Sequence, residues 1–307
     1  MRELTIAGRR IADESPCYVV AEIGSNHCGS VKLGLQLIRA AASAGCAAVK
    51  FQKRNIATLY SQALLNQPYD HEASYGPTYG AHRAALELTE FDYRALAQYA
   101  AQQPIACFAT AFDEPSVDFL LAQQTPAIKL ASGSLTDEPL LKYAAASQVP
   151  LMLSTGGGTQ ADIDRAVQTI TQYHTKLALL HCVASYPTHP KNGNLRMILT
   201  LRSRYPDLVI GYSSHFPGIM WALVSVAFGA SIVEHHFTLD RSAKGTDHAF
   251  SLEPKGLATL CEDVKKLHIG LGDGVKRFLE CERAPISKMR RRIVSPRVAI
   301  SSRALSS

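Results

Sequence analysis

Two short apolar runs in this 307-residue chain end in imidazoles. One is Ile210-Gly211-Tyr212-Ser213-Ser214-His215. The other is Ser231-Ile232-Val233-Glu234-His235-His236, and the polar run Lys244-Gly245-Thr246-Asp247-His248 follows it. Packing gives an apolar strand no reason to stop in imidazole and carboxylate groups. A shared divalent metal or anionic substrate does, because imidazole nitrogens from neighbouring strands plus a carboxylate suit such an ion. Side chains alternate along a strand, so only one of His235 and His236 can face the common interior. Lys50 and Lys129 raise a related question, since each lies within an apolar run where an unpaired ammonium is costly. Either each pairs with an internal carboxylate such as Glu22 or Glu234, or both point inward at a phosphate or carboxylate. Two lysines accompanied by Thr110, Ser132, Ser154 and Ser213 favour the anion site.

Other candidates carry less. Gly156-Gly157-Gly158 lacks the Gly-Lys-Ser/Thr ending of a nucleotide loop and reads as a tight turn. His181 fits a satisfied core histidine as well as a site group. His174 and His268 fall on helical stretches and read as surface residues, and Cys46, Cys107 and Cys182 read as small core residues.

These residues must be positioned by a regular scaffold. Short β-rich runs recur near 18–24, 46–52, 104–109, 126–131, 150–154, 177–182, 208–212 and 231–235. Helical patterns follow near 31–38, 90–102, 114–123, 137–147, 159–172, 193–204, 217–229 and 254–270. Eight strands each followed by a helix over about 250 residues predict a (β/α)8 TIM barrel, an α/β fold whose active sites form at the C-terminal strand ends. Residues 53–89 separate the second strand from its helix, and a stretch that long predicts an active-site cover. The opening Leu4 to Ile11 reads as a hairpin that plugs the barrel bottom.

Composition excludes several classes. Hydrophobic residues make up 47% and charged residues 19%, as in a compact globule. No apolar run approaches the roughly 20 residues that span a bilayer, and the N-terminus lacks a signal-peptide core. No membrane role is therefore expected. Seven scattered cysteines without a C-x-x-C pair suit a reducing cytoplasm. The net charge of +6 is a property of residues 283–307, which hold seven Lys/Arg and no Asp or Glu. The rest carries 25 basic against 26 acidic residues, so no nucleic-acid partner is expected. The barrel is assigned to residues 1–282 and a basic tail to 283–307.

The strand ends, taken together, resemble the sialic acid synthase (N-acetylneuraminate synthase) family, which condenses phosphoenolpyruvate with an amino-sugar aldehyde. The matching stretches are Ala21 to His27, Val49 to Gln52, Lys129 to Gly133, Leu153 to Gly156, His181-Cys182 with Tyr186-Pro187, Gly211 to His215, and Glu234 to Thr238. The resemblance runs in order from about residue 15 to 280. It implies that His215 and His236 hold a divalent metal, Mn2+ by family preference with Mg2+ or Co2+ as substitutes. It implies that Lys50, Thr110, Lys129, Ser132, Ser154 and Ser213 bind phosphoenolpyruvate. Glu22 matches the family's catalytic carboxylate, and Gln52, Tyr186 and Asp247 match positions facing the sugar. Small-molecule substrates are the implied partners, with a homodimer as the implied assembly.

The chain also departs from the family pattern. Ser134 stands in place of Glu, Ala184 in place of a relative's Asn, and Ser214 in place of Asp. Arg290 to Ser295 resembles only the linker into the family's C-terminal antifreeze-like domain, so that domain is expected to be absent or supplied by a separate chain. These departures predict an acceptor other than N-acetylmannosamine. They leave two rival readings: a non-catalytic binding or scaffold relative, and a metal-dependent aldolase or hydrolase on the same barrel.

Overall fold

Residues 2–291 are described by the computed structural model. The chain opens with an antiparallel hairpin, β1 (Glu3–Ile6) and β2 (Arg9–Ala12), turned at Ala7-Gly8. The alternating units then begin with β3 (Tyr18–Gly24), α1 (Val31–Ser43) and β4 (Ala48–Lys53). Three short helices follow: α2 (Ile56–Leu59), α3 (Gln62–Leu65) and α4 (Tyr79–Leu86). Next come α5 (Glu90–Ala101), β5 (Ala106–Ala111), α6 (Glu114–Ala122), β6 (Ile128–Leu130), α7 (Glu138–Ala146), β7 (Leu151–Ser154) and α8 (Gln160–Thr171). The series closes with β8 (Leu177–Cys182), α9 (Met197–Arg204), β9 (Val209–Ser214), α10 (Met220–Ala227), β10 (Ile232–His236) and α11 (Pro254–Leu271). Strands β3 to β10 pair in parallel and in sequence, and β10 returns to β3 to close the barrel. The expected (β/α)8 architecture is the one observed.

Local chemistry sets the helix starts. Ser30 caps α1, and Asp113 caps α6 ahead of Pro115. Thr89 with Asp92 and Thr159 with Asp162 form capping boxes for α5 and α8. Asp113 also accepts from the Asn55 backbone at 2.7 Å, which ties the chain leaving β4 to the next unit.

Two cores share the barrel strands. Outward-facing Val19, Ile23, Val49 and Phe51 pack against Leu37, Ile38 and Leu96 of the helices. The inward face changes character along each strand. Near the N-terminal ends it is apolar (Val20, Ala48, Phe108, Met152, Leu180 and Ile232) and packs against Leu4, Ile6 and Ile11 of the hairpin. The hairpin thus fills the barrel bottom, as expected. Replacing the fully buried Ile6 with Ala is predicted to remove about 2–5 kcal/mol of stability, read as a lower denaturation midpoint. Two residues further along each strand the interior turns polar, at Glu22, Lys50, Thr110, Lys129, Ser154, Cys182, Ser213 and Glu234. Gly211 lets the strands close here, since a Cβ would lie 2.8 Å from the Ile232 carbonyl.

Two expectations need correction. Residues 53–89 are built from short helices rather than open loop. His174 lies just past the end of α8 and is buried, its Nδ1 accepting from the Lys176 backbone at 3.1 Å. His268 is half-buried on α11. The first compact unit runs to Leu271. Among the described residues from Gly272 on, helix α12 (Arg283–Met289) buries none of its residues. Arg292, Arg297 and Arg303 of the basic tail lie outside the described residues. Among the described residues no helix is long and apolar enough to cross a membrane.

Candidate active site at the C-terminal strand ends

The polar strand ends open into a cavity of about 570 Å3. All twelve residues singled out from the sequence line it: Glu22, Lys50, Gln52, Thr110, Lys129, Ser132, Ser154, Tyr186, Ser213, His215, His236 and Asp247. Parallel pairing explains the convergence. His236 lies beside Glu22, Glu22 beside Lys50, Thr110 beside Lys129, and Ser213 beside Glu234.

The lysines pair with internal carboxylates and at the same time line the cavity. Lys50 Nζ lies 2.6 Å from Glu22 Oε2, donates to Thr110 Oγ1 at 2.6 Å, and stands 3.7 Å from Glu234 Oε1. Lys129 Nζ donates to Ser154 Oγ at 2.7 Å and also stands 3.7 Å from Glu234 Oε1. Ser213 Oγ donates to the same oxygen at 3.2 Å. The lysines are therefore both paired and lining the cavity, with hydroxyls already aimed at their ammonium groups.

The two carboxylates experience different fields. Burial raises Glu22 above the ordinary carboxylate range; Lys50 pulls against this, and Glu234 pushes with it. Burial also opposes ionisation of Glu234, but Lys129 and Lys50 outweigh it and hold this carboxyl down at about 2. One group is thus suited to carry a proton while its neighbour stays anionic. Gln52 orients Glu22, its Nε2 donating to Oε1 at 2.7 Å, and Arg54 in turn donates to Gln52 Oε1 at 2.6 Å.

His215 and His236 stand with ring centroids 5.4 Å apart. Nδ1 of His215 lies 2.8 Å from the Val183 carbonyl, so this nitrogen is the natural proton carrier and Nε2 is left free. His236 Nδ1 is buried without a hydrogen-bond partner among the described residues, 3.7 Å from Asp247 Oδ2. Burial lowers both imidazoles, His236 to about 3, so both are neutral at physiological pH. Neutral rings with a free nitrogen fit a divalent cation. Among the described residues no group of three His, Cys, Asp or Glu could hold a metal, so the protein offers two imidazoles to one. His235 faces away, within hydrogen-bond distance of the Phe216 and Gly218 carbonyls. His181 is a satisfied core residue, with Nε2 2.8 Å from the Gly193 carbonyl.

Some residues sit differently from expectation. Ser134 and Ser214 are buried but do not line the cavity. Ser214 alternates away from Ser213 and accepts from the Phe216 backbone at 3.3 Å. Of the three departures from the family pattern, only Ala184 faces the cavity. Cys182 lines the cavity as well as the core, with Sγ 3.8 Å from His215 Nδ1. The sequence reading missed Arg54, His71, Arg83 and Phe112, which also line the cavity. Arg54 follows Gln52 by two residues and was within reach of the strand-end argument. His71 and Arg83 carry no periodic signal.

A (β/α)8 barrel with charged pairs, hydroxyls and neutral imidazoles at its C-terminal face has the architecture of an enzyme. The chain belongs to the NeuB family, whose model matches residues 37–276. It is 43% identical over 244 residues to N-acetylneuraminate-9-phosphate synthase of Drosophila melanogaster, covering 79% of this chain but 66% of that protein, just under two thirds. It is 34% identical over 287 residues to N,N'-diacetyllegionaminic acid synthase of Legionella pneumophila, covering 92% of this chain and 80% of the other. The crystal structure of an N-acetylneuraminic acid (sialic acid) synthetase from Leptospira borgpetersenii in complex with citrate superposes with a TM-score of 0.81. Identity there is 33%, covering 94% of this chain and 96% of that one.

Proposed function

We propose that this protein condenses phosphoenolpyruvate with an amino-sugar aldehyde to give a 2-keto-3-deoxy sugar acid and phosphate. The observation that carries the reading is the meeting of Lys50 and Lys129, their hydroxyl partners, and the unlike carboxylates Glu22 and Glu234 beside two neutral histidines. Simple hydrolysis needs no such paired cationic floor. A phosphorylated, carboxylated donor does, because its charges must be offset before its enol carbon can react. The relatives named above are an N-acetylneuraminate-9-phosphate synthase and an N,N'-diacetyllegionaminic acid synthase, whose products are of this class.

Lys50, Lys129, Thr110, Ser132, Ser154 and Ser213 bind the donor's phosphate and carboxylate in this account. Its C3 carbon attacks the aldehyde carbon, and the aldehyde oxygen takes up a proton as it becomes a hydroxyl. Water adds at C2 and gives up a proton. The C2–O bond to phosphate then breaks, and the remaining C2 hydroxyl loses its proton to leave the ketone. Glu22, kept protonatable by burial and oriented by Gln52, moves the proton at the new hydroxyl or at the water. Gln52, Tyr186 and Asp247 line the acceptor's side.

His215 and His236 would hold a divalent metal, Mn2+ in the first instance, which supplies Lewis-acid polarisation of the aldehyde oxygen when bound. His236→Ala is predicted to lower Mn2+ affinity at least about tenfold by electron paramagnetic resonance titration. Unaltered affinity would remove His236 from the metal site. The function itself is tested by acceptor-dependent phosphate release from phosphoenolpyruvate across a panel of amino sugars.

A further inference from the structure

Asp247 lines the cavity with Oδ2 3.7 Å from His236 Nδ1, yet it belongs to a run, Thr238 to Asp247, that contains no helix or strand. A carboxylate on irregular chain keeps a fixed aim only where other groups hold the backbone, since loose chain must otherwise be ordered at each binding event. On its C-terminal side the run is held from the barrel. The Asp247 carbonyl accepts from Ser251 Oγ at 2.6 Å, and that oxygen accepts from Asn26 Nδ2 at 3.0 Å. Thr238 Oγ1 donates to the Asp240 carbonyl at 3.0 Å, so it accepts from Nδ1 of the buried His248 at 2.7 Å. His248 Nε2 is thereby left as an acceptor, 3.6 Å from the Cys28 thiol.

On its N-terminal side the run is held from the 53–89 segment. The Tyr75 hydroxyl donates to the Lys244 carbonyl, and the Lys244 ammonium lies 5.2 Å over the Tyr75 ring. Burial first, then the Cys28 thiol beside it, push the Tyr75 phenol above its ordinary range, so it keeps its proton and donates. Tyr75 is itself fixed, its backbone N–H donating to Nδ1 of the buried His82 on α4 at 3.1 Å. A tight turn joins the two holds: a Cβ at Gly245 would lie 2.6 Å from His248 Cδ2. Strand pairing closes the barrel without any of these contacts, and none of Tyr75, Cys28, Lys244 and His248 lines the cavity. The 53–89 segment gives His71 and Arg83 to the cavity lining, and the β10–α11 run gives Thr246 and Asp247. The Tyr75 bond therefore sets how far apart these two parts of the wall stand.

Resting on the synthase reading, we propose that Tyr75 is a positioning residue for the condensation: its hydroxyl latches the 53–89 segment to the Lys244 carbonyl and so holds Asp247 toward the acceptor. Cys28 and His248 form the fixed base of the latch. The donor's site, at Lys50 and Lys129, lies outside its reach.

The test uses Tyr75→Phe, which removes the hydroxyl and keeps the ring. The acceptor is a 2-acetamido hexose or its 6-phosphate, whichever turns over faster. Acceptor KM at saturating phosphoenolpyruvate should rise about 3–10-fold, the worth of one net hydrogen bond, with kcat and calorimetric donor affinity within about twofold of wild type. Cys28→Ala, which loses the weaker thiol contact, should move acceptor KM in the same direction by less. Hydrogen exchange at residues 243–248 should quicken by a similar 3–10-fold in Tyr75→Phe, while the denaturation midpoint stays near that of wild type. An unchanged acceptor KM, or a donor affinity that falls as far as the acceptor's, overturns the proposal. Should neither acceptor turn over with wild type, the synthase reading fails separately and exchange still decides the latch. Faster exchange confined to the run supports it, and unchanged exchange refutes it.

Discussion

Glu22→Gln is expected to lower kcat by about 10²–10⁴-fold while leaving phosphoenolpyruvate affinity within a fewfold of wild type. The carboxyl is fully buried, and Gln52 fixes one of its oxygens at 2.7 Å. Glutamine keeps the shape and a hydrogen-bonding oxygen toward Lys50 but cannot take or give a proton at working pH. Burial raises Glu22 above the ordinary carboxylate range, whereas Lys129 and Lys50 hold Glu234 down at about 2. The two carboxylates should therefore respond differently to substitution. A fall in donor affinity that matches the fall in kcat would make Glu22 a binding residue instead.

Lys129→Met is expected to weaken phosphoenolpyruvate binding by about 30-fold or more, measured by calorimetry. Lys129 is buried, donates to Ser154 Oγ and shares Glu234 with Lys50, so its loss removes one of the two inner cations. It also leaves Glu234 short of a counter-charge, which destabilises the fold by itself. The paired variant Lys129→Met, Glu234→Gln separates these effects. It should regain stability because the uncompensated buried charge is gone, yet remain unable to bind the donor tightly. Recovery of donor binding in the paired variant would mean that Lys129 matters only as the partner of Glu234.

Much of this site was legible in the sequence. Strand boundaries fell within two residues of those observed because a parallel barrel buries short β-branched runs and separates them with capped helices. Polar residues interrupting those runs, Glu22, Lys50, Lys129, Ser213 and His236, were conspicuous for the same reason. Alternation allowed only one of His235 and His236 to face inward, and the family resemblance pointed to His236, the one that lines the cavity. Pairing was not readable. That Lys50 would reach across to both Glu22 and Glu234 depends on register around a closed sheet, which sequence order alone does not fix. Ser214 and Ser134 looked like changes at the acceptor because they adjoin matching motifs, but alternation and a tight turn carry them away from the cavity. Arg83 and His71 come from three short helices and their connections, where no period announces which side chain points inward.

The central claim is acceptor-dependent condensation with cleavage of the C–O bond of phosphoenolpyruvate. Its most direct test uses phosphoenolpyruvate carrying oxygen-18 in the bridge between C2 and phosphorus, supplied with Mn2+ and an amino sugar or its 6-phosphate. The predicted result is labelled phosphate released one-for-one with a 2-keto acid three carbons longer than the acceptor, and none without acceptor. Unlabelled phosphate, or phosphate release that ignores the acceptor, would contradict it.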